Sequence, residues 1–235
     1  MMESLNRIKT FSECPRRYTL RYTDSSTTKN IRIVESIIKE AYLQMTETGF
    51  KMDWRKLLSL VDSKIFSDID IANTIQLEKS KLEAEYILSS LSKWYNDIYL
   101  ESNIEVFVNI FMKTAINRQT VCGTIPIVQL SGECPIITTV SSNDTNTVKL
   151  FNNFVVRGMA WLVQKELECD AIKCTNLGIG TKGSLDVVSI YIAKEDYLRT
   201  EDLIFQLVGL MASGVDYPSF SERCNNCEYN KKCKI

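Results

Sequence analysis

The chain has 235 residues, 45% of them hydrophobic, with a net charge of −1 at neutral pH and a pI of about 5.7. Size and apolar content suit a single globular domain spanning 1–235. The charge balance excludes the global basic signature of a dedicated nucleic-acid binder, and no apolar run reaches the roughly 20 residues of a membrane span.

Leu5, Ile8 and Phe11 follow helical spacing after Ser4, a candidate N-cap, and Pro15 punctuates the segment just after Cys14. A second amphipathic stretch covers residues 30–46, with Ile31, Val34, Ile38, Ala41, Tyr42 and Met45 on one face. A third carries Trp54, Leu57, Leu58, Val61 and Ile65, and a fourth Leu77, Ala84, Ile87, Leu91, Trp94 and Ile98. Residues 1–101 therefore read as mainly helical. The texture then changes. Residues 104–111, 120–128 and 135–140 are short β-rich runs, separated by turns at Asn117-Arg118 and Ser131-Gly132-Glu133. A polar loop at 141–147 precedes a helical pattern in Val148, Phe151, Val155, Gly158, Met159 and Leu162. Residues 171–177 and 184–192 are again strand-like, and 203–211 are helical. A three-strand meander, a helix and two more strands predict an α/β class protein. Its mixed sheet would be flanked by helices over 102–215, ahead of a cysteine-rich tail at 216–235.

The tail carries Cys224-x2-Cys227-x5-Cys233 in polar surroundings, and Cys14 stands alone near the start. Cys122, Cys134, Cys169 and Cys174 lie singly in apolar or strand-like stretches and read as small buried hydrophobes. A tight thiolate cluster plus one remote partner points to a four-sulfur metal site tying the chain ends together, with an iron–sulfur cluster or zinc as its occupant. Zinc sites usually pair two Cys-x2-Cys knuckles, whereas here there is one, and no histidine exists in the chain. Uneven four-thiolate spacing favours the iron–sulfur cluster. Eight cysteines behind no recognisable signal peptide predict a reducing, cytoplasmic compartment. Arg16, Arg17 and Arg21 near one end, and Lys231, Lys232 and Lys234 near the other, would form a local cationic patch for DNA if the ends meet.

With the order of elements, the two ends resemble the RecB-type PD-(D/E)xK nucleases that carry a [4Fe–4S] cluster, among them the CRISPR-adaptation exonucleases and the AddB-type nuclease domain. Phe11-Ser12-Glu13-Cys14-Pro15-Arg16-Arg17-Tyr18 resembles that family's first helix, whose Cys-Pro-Arg supplies a cluster ligand. Tyr217-Pro218 through Cys224-Asn225-Asn226-Cys227-Glu228-Tyr229 to Cys233 resembles its terminal three-cysteine motif. The resemblance implies a restriction-endonuclease-like central mixed β-sheet, with the cluster held by Cys14, Cys224, Cys227 and Cys233.

It also implies a metal-dependent nuclease site, and there the chain departs from the pattern. The family's helix histidine falls on Glu35. Its Gly-x-x-Asp falls on Gly123-Thr124-Ile125-Pro126, which puts Pro126 where the aspartate belongs. Its Asp/Glu-x-Lys falls on Thr138-Thr139-Val140, which loses both carboxylate and lysine. Its Gln-x3-Tyr has no counterpart near Arg157 to Trp161. Without two close carboxylates a divalent cation has little to bind, so no catalytic Mg²⁺ is expected. The resulting expectation is a pseudoenzyme: a catalytically inactive, nuclease-shaped subunit that binds DNA or a protein partner in DNA recombination, replication or transcription. Two alternatives stand beside it. One is an active Mg²⁺- or Mn²⁺-dependent DNA exonuclease with carboxylates relocated among Glu105, Glu133, Asp144 and Asp170. The other is a zinc-stapled interaction domain.

Overall fold

The structure is a computed structural model, and it describes residues 2–22, 89, 105–116, 118–130, 132, 134–141, 146–179, 185–219, 221–227, 229 and 233. Glu35, Lys231, Lys232, Lys234, Glu133, Asp144 and the amphipathic stretches of residues 30–98 lie outside the described residues. Among the described residues, six strands form one mixed sheet flanked by helices.

In chain order the elements are β1 (Met2–Ser4), α1 (Leu5–Glu13), α2 (Pro15–Tyr22), β2 (Glu105–Ile116), β3 (Gln119–Leu130), β4 (Ile136–Ser141), α3 (Thr147–Phe151), α4 (Phe154–Leu167), β5 (Ala171–Ile179), β6 (Leu185–Ala193) and α5 (Lys194–Ala212), followed by a 3₁₀ turn at Glu222–Asn226. β2, β3 and β4 form the expected antiparallel meander. β4 and β5 are parallel, joined through α3 and α4, and β6 closes antiparallel on β5. β3 is the pivot of the sheet. β2 pairs along its whole length, while β1 and β4 share its other edge, at Thr120–Cys122 and Ile127–Gln129 respectively.

Local chemistry explains where the structure departs from the periodicity. β1 was not foreseen, because three residues are too few to show alternation. The single helix expected around 148–162 is broken at Asn152-Asn153, where the Asn153 side chain accepts the N–H groups of Val155 and Val156 and so starts α4 afresh. α5 begins nine residues before the predicted 203, since its first turns are polar and carry Glu195 and Asp196 at the positive end of the helix dipole. β2 extends past residue 111 to Ile116 because it pairs with β3 up to the turn.

α1 follows its expected logic. Ser4 Oγ accepts the Arg7 N–H at 3.3 Å, and Leu5, Ile8 and Phe11 are buried at 2%, 0% and 2% exposure. Leu5 occupies a notch between the sheet and α4 that two glycines open. A Cβ on Gly158 would stand 2.5 Å from Leu5 Cδ2, and one on Gly123 would stand 2.8 Å from Leu5 Cδ1 and 3.1 Å from Leu162 Cδ1. Gly158→Ala gains about 1 kcal/mol of helix propensity but overpacks the notch at a cost of about 1–3 kcal/mol. The expected net result in chemical denaturation is destabilisation. In a Leu5→Ala background the same substitution should become stabilising. A stabilising Gly158→Ala in the otherwise intact chain would show that the notch is loose.

Candidate functional site

The first candidate site is built where the chain ends meet. The residue before proline is steered away from helical backbone, and Cys14 accordingly stands extended, at φ −164° and ψ 107°, between α1 and α2. Pro15 then opens α2, where its missing N–H costs nothing. Cys14 thereby serves both helices. Its N–H donates to Thr10 O at 3.0 Å, ending α1, and its Sγ accepts the Arg17 N–H at 3.4 Å in the first turn of α2. A second backbone donor, Ser219 N–H, reaches the same sulfur at 3.4 Å from 205 residues further along the chain. Two backbone N–H groups, one from α2 and one from the tail, thus converge on one sulfur.

The tail is held there by two more contacts. The Arg16 N–H donates to Tyr217 O at 3.1 Å, and Arg16 Nη1 pairs with Asp216 Oδ2 at 2.6 Å. Cys224 lies in the 3₁₀ turn, and its Sγ donates to Ser219 O at 3.8 Å. The Cys233 N–H donates to the carbonyl of buried Tyr229 at 2.9 Å. The Cys233 thiol is pushed up by burial first and then by Cys14, Cys227 and Cys224, with Arg16 opposing. Cys14, Cys224 and Cys227 therefore all lie within electrostatic reach of Cys233. Among the described residues, no group of three or more Cys, Asp or Glu side chains stands at metal-holding spacing.

Of the expected cationic patch, the three described arginines each have a partner. Arg16 is paired with Asp216, Arg17 Nη1 lies 3.8 Å from Glu13 Oε2, and Arg21 rests over the Tyr22 ring at 5.6 Å. Exposed pairs of this kind contribute about 0–1 kcal/mol each, but they neutralise local charge.

The second candidate site lies where β3 and β4 part. Their ladder spans only Ile127–Gln129 and Ile136–Thr138. Beyond it, Thr139, Val140 and Ser141 pair with Asn176, Leu177 and Gly178 of β5. Pro126 is the first residue of β3 past the fork. It has no N–H to give, and the core-facing positions of β3 change parity across it, from Val121 and Ile125 to Val128 and Leu130. The structure thus brings Pro126 next to the pair Ile127 and Thr138, with Val140 continuing the same strand.

The fork is lined by neutral polar groups, most of them deeply buried. Thr138 is 0% exposed, and its hydroxyl donates to Gln129 Oε1 at 3.5 Å. Thr139 Oγ1 donates to Asn176 Oδ1 at 3.0 Å, and Asn176 Nδ2 donates to Ser141 Oγ at 2.9 Å. Thr175 and Ser189 share a hydrogen bond at 3.0 Å. Sequence reasoning missed Gln129, Asn176 and Ser189. Their signal was the presence of polar side chains inside strand-like runs, which becomes informative only when neighbouring strands show that they meet.

The described acids do not rebuild a cation site here. Asp170 is exposed and lies 3.8 Å from Lys194, and Glu105 is an exposed residue at the start of β2. The one buried carboxylate among the described residues is Glu3, which takes the Tyr18 hydroxyl at 3.3 Å and lies 3.7 Å from Arg7. Glu3 pairs with Val121, so at about 3.3 Å per residue it stands roughly 16 Å along β3 from Pro126.

Arg157 and Trp161 both bind α4 to α5. Arg157 donates to Thr200 Oγ1 at 3.1 Å and Asp196 O at 3.3 Å, and Trp161 Nε1 donates to Glu201 Oε2 at 3.2 Å.

No family model matches the chain, and no curated protein matches it in sequence. Among solved structures, a Eubacterium rectale protein provisionally named an exonuclease superposes with a TM-score of 0.62 at 9% identity, covering 100% of this chain and 88% of the other. The structure of SSO0001 is matched over 97% of this chain and 94% of the other, at 11% identity and a TM-score of 0.40, too low to add to the argument. No helix among the described residues is long and apolar enough to cross a membrane. The described residues therefore form a mixed sheet flanked by helices, a fold the chain shares with that exonuclease-named protein.

Proposed function

We propose that this protein is a catalytically inactive, cluster-stapled relative of the iron–sulfur nucleases that works by binding a protein partner in a DNA-processing complex. The observation that carries the reading is the fork between β3 and β4. Pro126 lines it with threonine, asparagine, serine and glutamine side chains among the described residues, and hydrogen bonds link Thr138 to Gln129 and Thr139 through Asn176 to Ser141. A Mg²⁺ or Mn²⁺ ion needs carboxylates, and a metal-activated water needs the ion. Cys14, Cys224, Cys227 and Cys233 would hold the [4Fe–4S] cluster, with zinc as the alternative. The two N–H donors on Cys14 and the electrostatic coupling of Cys233 to the other three support that donor set. Binding of the group by these four sulfurs would be coupled to folding of the tail. The group would supply a structural staple.

A protein partner is favoured over DNA because Arg16 and Arg17 already face Asp216 and Glu13. Fluorescence anisotropy with labelled single- and double-stranded oligonucleotides separates the two. The expected result is weak or no association at about 0.15 M salt. Tight binding that falls steeply between about 50 and 200 mM salt, and is lost in Arg16→Ala, would overturn the preference for protein.

A further inference from the structure

Among the described residues, one edge of the sheet is a strand with little to stop a neighbour from adding to it. β6 pairs with β5 on one side and with no described strand on the other. Its sequence, Leu-Asp-Val-Val-Ser-Ile-Tyr-Ile-Ala, holds no proline and no lysine, and its single charge is Asp186 near the start. Folded proteins guard such edges with very short strands, prolines or charged side chains. β2, on the opposite edge, keeps exposed Glu105 and Lys113. β6 runs instead from Val187 to Ala193 without a charge.

Alternation sorts β6 into two faces. Ile190 and Ile192 belong to the core, and Val188 packs against it. Val187, Ser189 and Tyr191 alternate onto the other face, where Val187 is 54% and Tyr191 63% exposed. These two apolar side chains stand two residues either side of Ser189, and that spacing makes the edge self-complementary. When a second copy adds antiparallel about a twofold axis at Ser189, each Tyr191 lies opposite Val187 of the other copy, and each Ile190 lies opposite Val188. Directly opposite residues share a face, so exposed apolar groups meet exposed apolar groups. Asp186 falls opposite Ile192, so no like charges face each other across the seam. Beside this edge, α3 and β6 leave an open groove of about 400 Å³, lined by Thr147, Val148, Phe151, Asn152, Ile190 and Tyr191. Val188 of the second copy, opposite Ile190, would enter on the face where that groove lies.

We propose that β6 is a homodimer interface, through which two copies of the chain join edge to edge as antiparallel β6 strands about a twofold axis at Ser189. The backbone N–H and C=O groups on the open side of β6 gain ladder partners, and the Val187–Tyr191 pairs and the groove cover apolar surface. A self-complementary contact of this kind closes on two copies and leaves no free β6 edge for a third. It uses neither the tail cysteines nor the β3–β4 fork, so it stands apart from the function proposed above.

Sedimentation velocity on the full chain, purified without oxygen, over roughly 1–100 μM should show a monomer–dimer equilibrium. Hydrogen exchange at the two ends of that range should be slower in the dimer across β6 and unchanged in β2. Two double variants test the register. Val187→Lys with Tyr191→Lys sets like charges directly opposite at both pairs and should weaken dimerisation roughly tenfold. Val187→Lys with Tyr191→Glu sets opposite charges there and should dimerise more tightly than the first variant at low salt. A monomer at every concentration would overturn the proposal and leave the edge to an extended segment of another protein. A dimer with slowed exchange outside β6 and α3, or equal affinities in the two variants, would overturn it as well. Both positions are exposed, and should either variant fail to fold, the exchange map of the unaltered chain decides alone.

Discussion

Protein purified without oxygen is expected to be brown and to carry roughly four irons per chain, bound to Cys14, Cys224, Cys227 and Cys233. Cys14→Ser and Cys227→Ser should each lose the iron, because a thiolate shell with one hydroxyl no longer matches a soft cluster. Cys14→Ser should have a second effect. The sulfur accepts N–H groups from Arg17 and Ser219, and the latter contact bridges 205 residues. Its loss weakens the hold of α2 on the tail, although the Arg16–Asp216 pair and the Arg16–Tyr217 backbone bond persist. A staple across so long a loop acts mainly by restricting the unfolded chain and is worth on the order of a few kcal/mol. Iron and sulfide analysis, with limited proteolysis read at both termini, checks both effects. Colourless protein holding one zinc would replace the cluster with a structural zinc site. Unchanged protease resistance at both ends in Cys14→Ser would show that the staple does not hold them.

The second large effect is an absence of hydrolysis. Wild-type protein should leave labelled single- and double-stranded DNA at full length in Mg²⁺ or Mn²⁺, because the groups missing at Pro126, Thr138 and Val140 are the ligands and the lysine themselves. Restoring them together as Pro126→Asp, Thr138→Asp and Val140→Lys tests the same idea in reverse. Thr138 is 0% exposed and bonded to Gln129. A carboxylate placed there without a cation is a buried unpaired charge, so the triple variant should be several kcal/mol less stable than wild type. Mn²⁺ should return part of that loss as a rise in Tm, since a ligand that binds only the folded state stabilises it by mass action. Cleavage should stay weak, because Asn176, Ser141 and Thr139 hold one another rather than orienting new ligands. EDTA-sensitive digestion by wild-type protein would overturn the inactive reading. An alanine scan of Glu35, Glu105, Glu133 and Asp144 would then locate the carboxylates.

Much of the architecture was legible in the residues because it is written in local rules. Ser4 before an i, i+3 apolar series gave a capped α1, and Cys14-Pro15 gave the break that follows it. The turn at Asn117-Arg118 and the β-rich runs around it gave the meander; of the four cysteines read as buried hydrophobes, Cys122 and Cys174 are buried, whereas Cys134 and Cys169 stand half-buried on turns before β4 and β5. What local rules cannot express is which strands part and which ends touch. The β3–β4 ladder stops at Thr138 while β4 runs on along β5 to Ser141, and that long-range arrangement places Pro126 beside a fork lined with neutral groups. The arginines show the same division. Arg16 and Arg17 read as a DNA patch in isolation, yet Asp216 arrives from 200 residues away to neutralise the first, at a distance sequence spacing does not encode. Periodicity and caps report the free energy of single segments, while site composition depends on register and crossover, which are settled by the burial of the whole core.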